Sequence, residues 1–258
     1  MDFKQFEILS FDCYGTLIDW RSSVLEIIRP VLTDYSLEMT DEEIFNLFLD
    51  ADRNTISKEY ITYREVLVRI MDNIGGSLNL NLQSQDRQCL VDRFGDWYPF
   101  PDSHNALLAL QEKYKLAIIS NVDDEMFNLT MRCIGIKFEY IVTAKQVQSY
   151  KPSHNNFNAA LERFGLPKEK VLHVAQSIHH DIRPTNELGW HNVWVNRYNE
   201  PERTDPAEYP DLEVPDLADY AHEYGLKGGI QGKTQIFAFL GKSLIKTSII
   251  ARSESRKI

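Results

Sequence analysis

The sequence predicts an α/β protein: a doubly wound parallel sheet with a Rossmann-like core, interrupted by a helical insertion. Short apolar runs of strand length recur along the chain and alternate with segments of helical periodicity. Residues 20–98, between the first and second of these runs, show helical periodicity alone. Polar residues follow several of the runs, at the carboxyl ends of the predicted strands, where ligands bind in sheets of this kind.

The first predicted strand, residues 6–11, delivers a carboxylate, Asp12, to its carboxyl end. Gly15 then breaks the strand, and Thr16 adds a hydroxyl to the same loop. A carboxylate at such a position can attack an electrophilic carbon or phosphorus and form a covalent intermediate. The alternative is a polar strand end that caps the next helix.

The insertion is predicted to contain four helices. The first follows Trp20, and a capping box formed by Thr40 and Glu43 opens the second. The third covers about residues 61–74, where two glycines end it, and the fourth covers about residues 84–94.

The rest of the chain alternates between helices and strands, which predicts parallel pairing. Helices are predicted at residues 103–113, 124–135, 155–164 and 217–224, and strands at residues 116–121, 140–142, 171–174 and 192–195, the last strand of the sheet. The segment from the strand at 171–174 through Asp181 is predicted to be a loop. Residues 198–216 are rich in proline and acidic side chains and are predicted to run over the surface.

Residues 226–258 differ in composition from the rest of the chain, with seven Lys or Arg residues against one acidic residue, Glu254. We predict a disordered basic tail here. An additional helix at residues 236–245 and sequence beyond the natural end of the protein are the alternatives.

Composition disfavours several classes of protein. No run approaches the roughly 18 apolar residues of a membrane span, and the first residues lack the pattern of a secretory signal. The net charge of −10 argues against general nucleic-acid binding. Cys13, Cys89 and Cys133 are too few and too scattered for a disulfide framework or a zinc site. We therefore expect a cytoplasmic protein that acts on a small molecule, and a homodimer is left open.

The string Phe-Asp-x-Tyr-Gly-Thr-Leu at residues 11–17 resembles motif I of the haloacid dehalogenase (HAD) superfamily. The nucleophile of that family matches Asp12. Family phosphatases usually carry a second aspartate two residues later, which protonates the leaving group, whereas the 2-haloacid dehalogenase branch carries tyrosine, as this chain does at Tyr14. A halide leaves without a proton, so the dehalogenase form needs no general acid.

The resemblance implies a HAD-like domain organisation. Residues 1–19 and 99–225 would form the α/β core. Residues 20–98 would form a helical cap, which supplies the substrate pocket in such enzymes.

Two further motifs are similar to those of the family. Ser120 and Asn121 match motif II in its dehalogenase form and would bind an anionic group of the substrate. Lys151, in Tyr-Lys-Pro, matches motif III, and its ammonium would hold Asp12 ionised. The alternatives are turn-forming residues at positions 120 and 121 and a solvated surface lysine at 151.

The fourth motif departs from the family pattern. Phosphatases place an acid pair here to hold Mg²⁺, but Gln176 stands at the first acid position and Asp181 alone remains. Dehalogenases have Ser-Ser-Asn here, followed by an aspartate three positions after the Asn. In this chain Asp181 stands four positions after Ser177, so the spacing is one residue longer. The resemblance implies that Ser177 and Asp181 orient the hydrolytic water.

Four more side chains are candidates near the site. His179 or His180 could act as a general base, although two solvent-facing loop histidines are the alternative. The resemblance also implies a halide-binding arginine in the cap, for which Arg53 and Arg64 are candidates, with Arg53 placed first.

Together these residues predict hydrolytic dehalogenation of a small 2-haloacid-type substrate through an ester on Asp12, with no metal or other cofactor. One alternative is a phosphohydrolase that uses Mg²⁺. Another is a HAD-fold biosynthetic enzyme that catalyses a non-hydrolytic step on a larger metabolite. The third is a non-catalytic interaction module.

Overall fold

The computed structural model describes residues 2–55 and 60–222, which contain a six-stranded sheet in the order β3–β2–β1–β4–β5–β6. All neighbouring strands are parallel. The strands are β1 (Ile8–Phe11), β2 (Lys115–Ser120), β3 (Tyr140–Thr143), β4 (Val171–Ala175), β5 (His191–Val195) and β6 (Leu212–Val214). The prediction of a doubly wound parallel sheet is confirmed.

Both faces of the sheet are covered. On β1, Leu9 and Phe11 belong to one buried apolar cluster and Ile8 to another. β2 alternates in the same way, because successive side chains of a strand point to opposite faces. Burial on both faces explains why the central strands have nearly continuous apolar sequences.

The first four helices after β1 form the helical cap. They are α1 (Trp20–Asp34), α2 (Asp41–Thr55), α3 (Tyr63–Ser77) and α4 (Ser84–Asp92). The predicted capping box precedes α2: the Glu43 N–H donates to Thr40 Oγ1 at 3.3 Å, and the Thr40 N–H donates to Glu43 Oε2 at 2.8 Å. The domain boundaries proposed from the sequence stay a prediction.

The remaining helices flank the sheet. They are α5 (Ser103–Leu110), α6 (Asp124–Ile134), α7 (Ala144–Val147), α8 (His154–Phe164), α9 (Arg183–Leu188) and α10 (Leu217–Tyr220).

The structure corrects two expectations. Residues 212–214, expected in a surface excursion, form the edge strand β6, which is too short to show strand periodicity and lies in a proline-rich segment. The expected loop before Asp181 contains a π-helical turn, Ile178–Ile182, that continues into α9. The basic tail at residues 226–258 lies outside the described residues.

Within residues 2–55 and 60–222, none of the helices has the length and apolarity that crossing a membrane requires. Cys13, Cys89 and Cys133 are unpaired.

Candidate active site

Asp12 lies at the end of β1, and the backbone of its loop is sterically constrained. The Asp12 N–H donates to the Val174 carbonyl on the neighbouring strand at 3.1 Å. Gly15 has φ of +97°, and a Cβ added there would lie 2.9 Å from Trp20 Nε1. Glycine is therefore required for the turn that follows Asp12.

Lys151 joins two buried carboxylates. Its Nζ donates to Asp12 Oδ1 at 2.8 Å, to Asp181 Oδ1 at 2.6 Å and to the Ile119 carbonyl at 2.8 Å. Since an ammonium has three hydrogens, these bonds satisfy it fully. Lys151 and Asp181 are 1% and 0% exposed, so solvent screens this cluster poorly.

Two carboxylates share one ammonium, and their pKa values diverge as a result. Burial raises the pKa of Asp12 above its usual range, which the Lys151 ammonium only partly offsets, and the charge of Asp181 adds to the rise. Burial also opposes ionisation of Asp181, but Lys151 and His173 outweigh it and lower its pKa to about 2. The two carboxylates keep the Lys151 ammonium charged despite burial and raise its pKa.

Thr16 and Asn121 hold these groups in place. The Thr16 hydroxyl donates to Asp12 Oδ2 at 2.9 Å and accepts from the Gln176 N–H at 2.9 Å. The Asn121 amide clamps the backbone of Lys151: it donates to the carbonyl at 2.9 Å and accepts from the N–H at 2.7 Å. Asn121 lines the cavity, but its bonds point to a role in positioning Lys151.

Behind the cluster lies a histidine that the sequence reasoning did not single out. His173 Nε2 is 2.9 Å from Asp181 Oδ1, and its Nδ1 is 2.9 Å from Ser10 Oγ. An ionised carboxylate only accepts, so the hydrogen of the first bond is on Nε2. A histidine in an otherwise apolar strand, Val-Leu-His-Val, was the available signal.

A cavity of about 390 Å³ opens above this cluster. Four residues that line it carry a buried polar atom with no hydrogen-bond partner among the described residues, namely Trp97 Nε1, Ser120 Oγ, Asp181 Oδ2 and Tyr198 Oη. Buried polar groups are seldom left unpaired, so these atoms are candidates to bind a substrate or the water that attacks it. The cavity is also lined by the aromatic side chains Tyr14, Trp20, Phe45, Phe48, Tyr63, Trp97 and Tyr198.

The loop of the fourth motif contributes three further lining residues, Gln176, Ser177 and His180. Ser177 Oγ accepts from the His180 N–H at 3.1 Å and caps the π-helical turn. Burial lowers the pKa of His180 to about 4, so its imidazole is neutral at pH 7. His179, by contrast, is exposed.

Tyr14 presents its ring to the cavity and turns its hydroxyl away from it, since the hydroxyl lies 2.9 Å from Thr130 Oγ1. Burial raises the pKa of Tyr14 well above its usual range. The side chain is therefore a poor proton donor for a leaving group.

The structure does not bring the predicted cap arginines to the site. Arg53 is exposed and pairs with Asp50 Oδ1 at 3.2 Å, and Arg64 is also exposed. Neither lines the cavity, because their positions on α2 and α3 turn towards solvent, which corrects the expectation for Arg53. Arg21, on the first turn of α1, lines the cavity instead.

Three more lining residues were missed from the sequence: Asp52, Tyr198 and Glu200. Asp52 is on α2, and burial raises its pKa to about 6. Tyr198 and Glu200 follow β5, in the segment that the sequence analysis assigned to the surface. No motif marks these positions.

The described residues contain no group of three or more His, Cys, Asp or Glu side chains arranged to hold a metal ion. Asp12 and Asp181 both contact the Lys151 ammonium. The Gln176 side-chain amide donates to Glu200 Oε1 at 2.9 Å.

Comparison with known proteins identifies relatives of this chain. A family model described as haloacid dehalogenase-like hydrolase matches residues 9–195. Haloacetate dehalogenase H-2 of Moraxella sp. is 24% identical over 225 residues, which cover 85% of this chain and 98% of that protein. Glyceraldehyde 3-phosphate phosphatase of Methanothermobacter thermautotrophicus is 26% identical over 221 residues, 79% of this chain and 92% of that protein.

A solved structure shares the fold. L-2-haloacid dehalogenase from Xanthobacter autotrophicus with chloropropionic acid covalently bound superposes with a TM-score of 0.70 at 19% identity. The match covers 87% of this chain and 100% of that one.

Proposed function

Because the chain belongs to the haloacid dehalogenase-like hydrolase family, we propose that it hydrolyses a 2-haloacid-type substrate through an ester on Asp12, without a metal ion. The observation that carries the proposal is the Asp12–Lys151–Asp181 cluster beneath the cavity, combined with Tyr14 and Gln176 at the two positions where phosphatases have acids. The similarity to dehalogenases supports the same reaction class.

In the first step, a carboxylate oxygen of Asp12 attacks the substrate carbon that bears the halide. The new C–O bond forms as the carbon–halogen bond breaks, and the halide departs with the bonding electron pair. The hydrogen bond from Thr16 orients the Asp12 carboxylate, and Lys151 favours its ionised form. The hydroxyl of Ser120, which has no partner among the described residues, would bind the substrate carboxylate.

In the second step, water attacks the carboxyl carbon of the Asp12 ester and releases the hydroxy acid. Oδ2 of Asp181 has no partner among the described residues and can accept a hydrogen bond from this water. One proton per turnover passes to solvent, and the Asp12 carboxylate is regenerated. The low pKa of Asp181 suits it to orienting the water more than to retaining the proton.

The test is halide release from each enantiomer of 2-chloropropionate and phosphate release from p-nitrophenyl phosphate, each with and without EDTA. We expect halide release that is indifferent to EDTA. Asp12→Asn should abolish it, whereas the exposed matched control Asp50→Asn should keep it. A single turnover in water enriched in oxygen-18 should place the label in the peptide that contains Asp12. Label found only in the product would contradict the ester.

A second candidate, a phosphohydrolase that uses Mg²⁺, is favoured by the similarity to glyceraldehyde 3-phosphate phosphatase. In that reaction Asp12 and Asp181 would be the carboxylates available to the ion. Phosphate release that EDTA abolishes, together with no halide release, would select this candidate.

A further inference from the structure

The proposed function leaves a part of the cavity unused. Arg21 and Tyr198 lie together at one side of it, with the Arg21 guanidinium carbon 5.6 Å from the centre of the Tyr198 ring and 4.5 Å from that of Phe45. The Tyr198 hydroxyl is buried and has no hydrogen-bond partner among the described residues. Arg21 likewise has no acceptor or carboxylate partner within residues 2–55 and 60–222.

This pair is remote from Ser120, another buried donor of the cavity that has no partner among the described residues. Ser120 ends β2 and Tyr198 follows β5, and the sheet order places β1 and β4 between those strands. Neighbouring strands are about 4.8 Å apart, so about 14 Å separates the two strand ends. A small haloacid bound at Asp12 and Ser120 would need an additional group to contact Tyr198.

The charges around the pair favour an anion. Glu200 is neutralised, because its two oxygens accept from Gln176 Nε2 at 2.9 Å and Arg203 Nη2 at 2.8 Å. Asp19 accepts from the N–H and hydroxyl of Ser22 and keeps its negative charge, but the positive charges of Arg21 and Arg197 act on Tyr198 in the opposite sense. Asp52 follows Phe45 by seven residues on α2, so its backbone is about 10 Å along the helix axis from that of Phe45, whose ring Arg21 contacts.

We propose that Arg21 and Tyr198 form a second, anion-binding subsite, so that the substrate is a 2-haloacid-type molecule with an additional carboxylate at the far end of an apolar chain. This inference rests on the proposed function. Arginine presents a planar fork of donors that matches a carboxylate, and the phenol adds one more donor. The aromatic side chains between the two polar ends would contact the intervening carbon chain.

The experiment compares substrates matched in chain length: 2-bromosuccinate with 2-bromobutyrate, 2-bromoglutarate with 2-bromopentanoate, and 2-bromoadipate with 2-bromohexanoate. For at least one pair, we expect the diacid to have a kcat/KM about tenfold or more above that of the monoacid. Arg21→Met and Tyr198→Phe should bring that ratio towards one. Arg53→Met, which changes an exposed arginine outside the cavity, should leave the ratio as in the wild type.

A binding measurement separates this inference from the proposed function. Succinate, glutarate and adipate carry no halide, and at least one should raise the Tm of the wild type more than the monoacid of equal length, an advantage that Arg21→Met removes. Diacid binding without halide release would overturn the proposed function and keep the subsite. Equal kcat/KM values and equal rises in Tm for diacids and monoacids of the same length would overturn the subsite. An Arg21→Met variant in which diacids and monoacids lose their effect on Tm to the same extent would also overturn the subsite, since Arg21 would then hold the reacting carboxylate itself.

Discussion

The imidazole of His173 lies 2.9 Å from Oδ1 of Asp181, and both side chains are 0% exposed. The same oxygen accepts from Lys151, so Oδ1 is held by two donors, while Oδ2 has no hydrogen-bond partner among the described residues. His173 thus helps to determine which oxygen of Asp181 is left without a partner. It acts through Asp181 and does not line the cavity.

We expect His173→Leu to destabilise the fold and to slow ester hydrolysis, because a buried acceptor loses a donor at a cost of about 1–3 kcal/mol. His173→Gln can return an N–H near the position of Nε2 and should restore part of both losses. The measurements are Tm and the rates of the two steps in single-turnover experiments. A His173→Leu variant that loses stability with unchanged rates would limit the residue to a structural role.

Asp181→Asn tests the assignment of the water. If Oδ2 of Asp181 positions the attacking water, the variant should accumulate the ester on Asp12, visible by mass spectrometry as the enzyme plus the dehalogenated fragment. The first step should slow less than the second, because Asp12 keeps its bonds to Lys151 and Thr16. Loss of halide release with no adduct would instead assign Asp181 to substrate binding or to the orientation of Asp12.

The metal requirement can be tested by restoring the missing acids. The wild-type rate of halide release should change less than about twofold between EDTA and added Mg²⁺, since Gln176 replaces one carboxylate. A variant with both Tyr14→Asp and Gln176→Asp should gain Mg²⁺-dependent hydrolysis of p-nitrophenyl phosphate, because it regains an acid for the leaving group and the missing carboxylate of the fourth motif. A steep Mg²⁺ requirement in the wild type would contradict the dehalogenase assignment.

His180 should make the fold less stable as the pH falls. Its pKa is about 4 in the folded protein, against an ordinary value of about 6.5. At a pH between about 4 and 6.5, the unfolded chain therefore binds a proton at His180 that the native state does not. Its contribution to the free energy of unfolding is therefore fully present above pH 6.5 and is lost towards pH 4.

Asp52 opposes this trend, because its raised pKa of about 6 favours the folded protein at low pH and that contribution is lost as the pH rises through 6. The measurement is accordingly a difference between urea unfolding curves of His180→Gln and the wild type from pH 4 to 7. The variant should gain relative stability as the pH falls. A difference that does not vary with pH would show that His180 titrates normally in the folded state.

The sequence was sufficient for the order of strands and helices in the core and for the residues at strand ends. Asp12, Ser120 and Lys151 converge because each is tied to the carboxyl edge of a parallel sheet, and that edge follows from hydrophobic periodicity alone. The helical cap was predictable for the same reason. β6 was not, because a three-residue edge strand carries too little pattern.

The wall of the cavity could not be predicted. Arg21, Asp52 and Tyr198 come from α1, α2 and the segment after β5, and the packing of those elements against each other decides which of their side chains meet. A helix position faces the cavity or the solvent according to its rotation about the axis. Arg53 follows Asp52 directly on α2, yet one lines the cavity and the other is exposed.

Asp123, just beyond β2, accepts hydrogen bonds from two residues of the cap: Tyr60 Oη at 3.1 Å and the backbone N–H of Arg64 at 3.1 Å. That N–H lies at the start of α3, where helices lack internal acceptors, so a core carboxylate protects it. Separation of cap and core would expose it to solvent. The deuterium uptake of this single amide would therefore report how often the cap lifts, and a ligand that bridges the two parts should slow it.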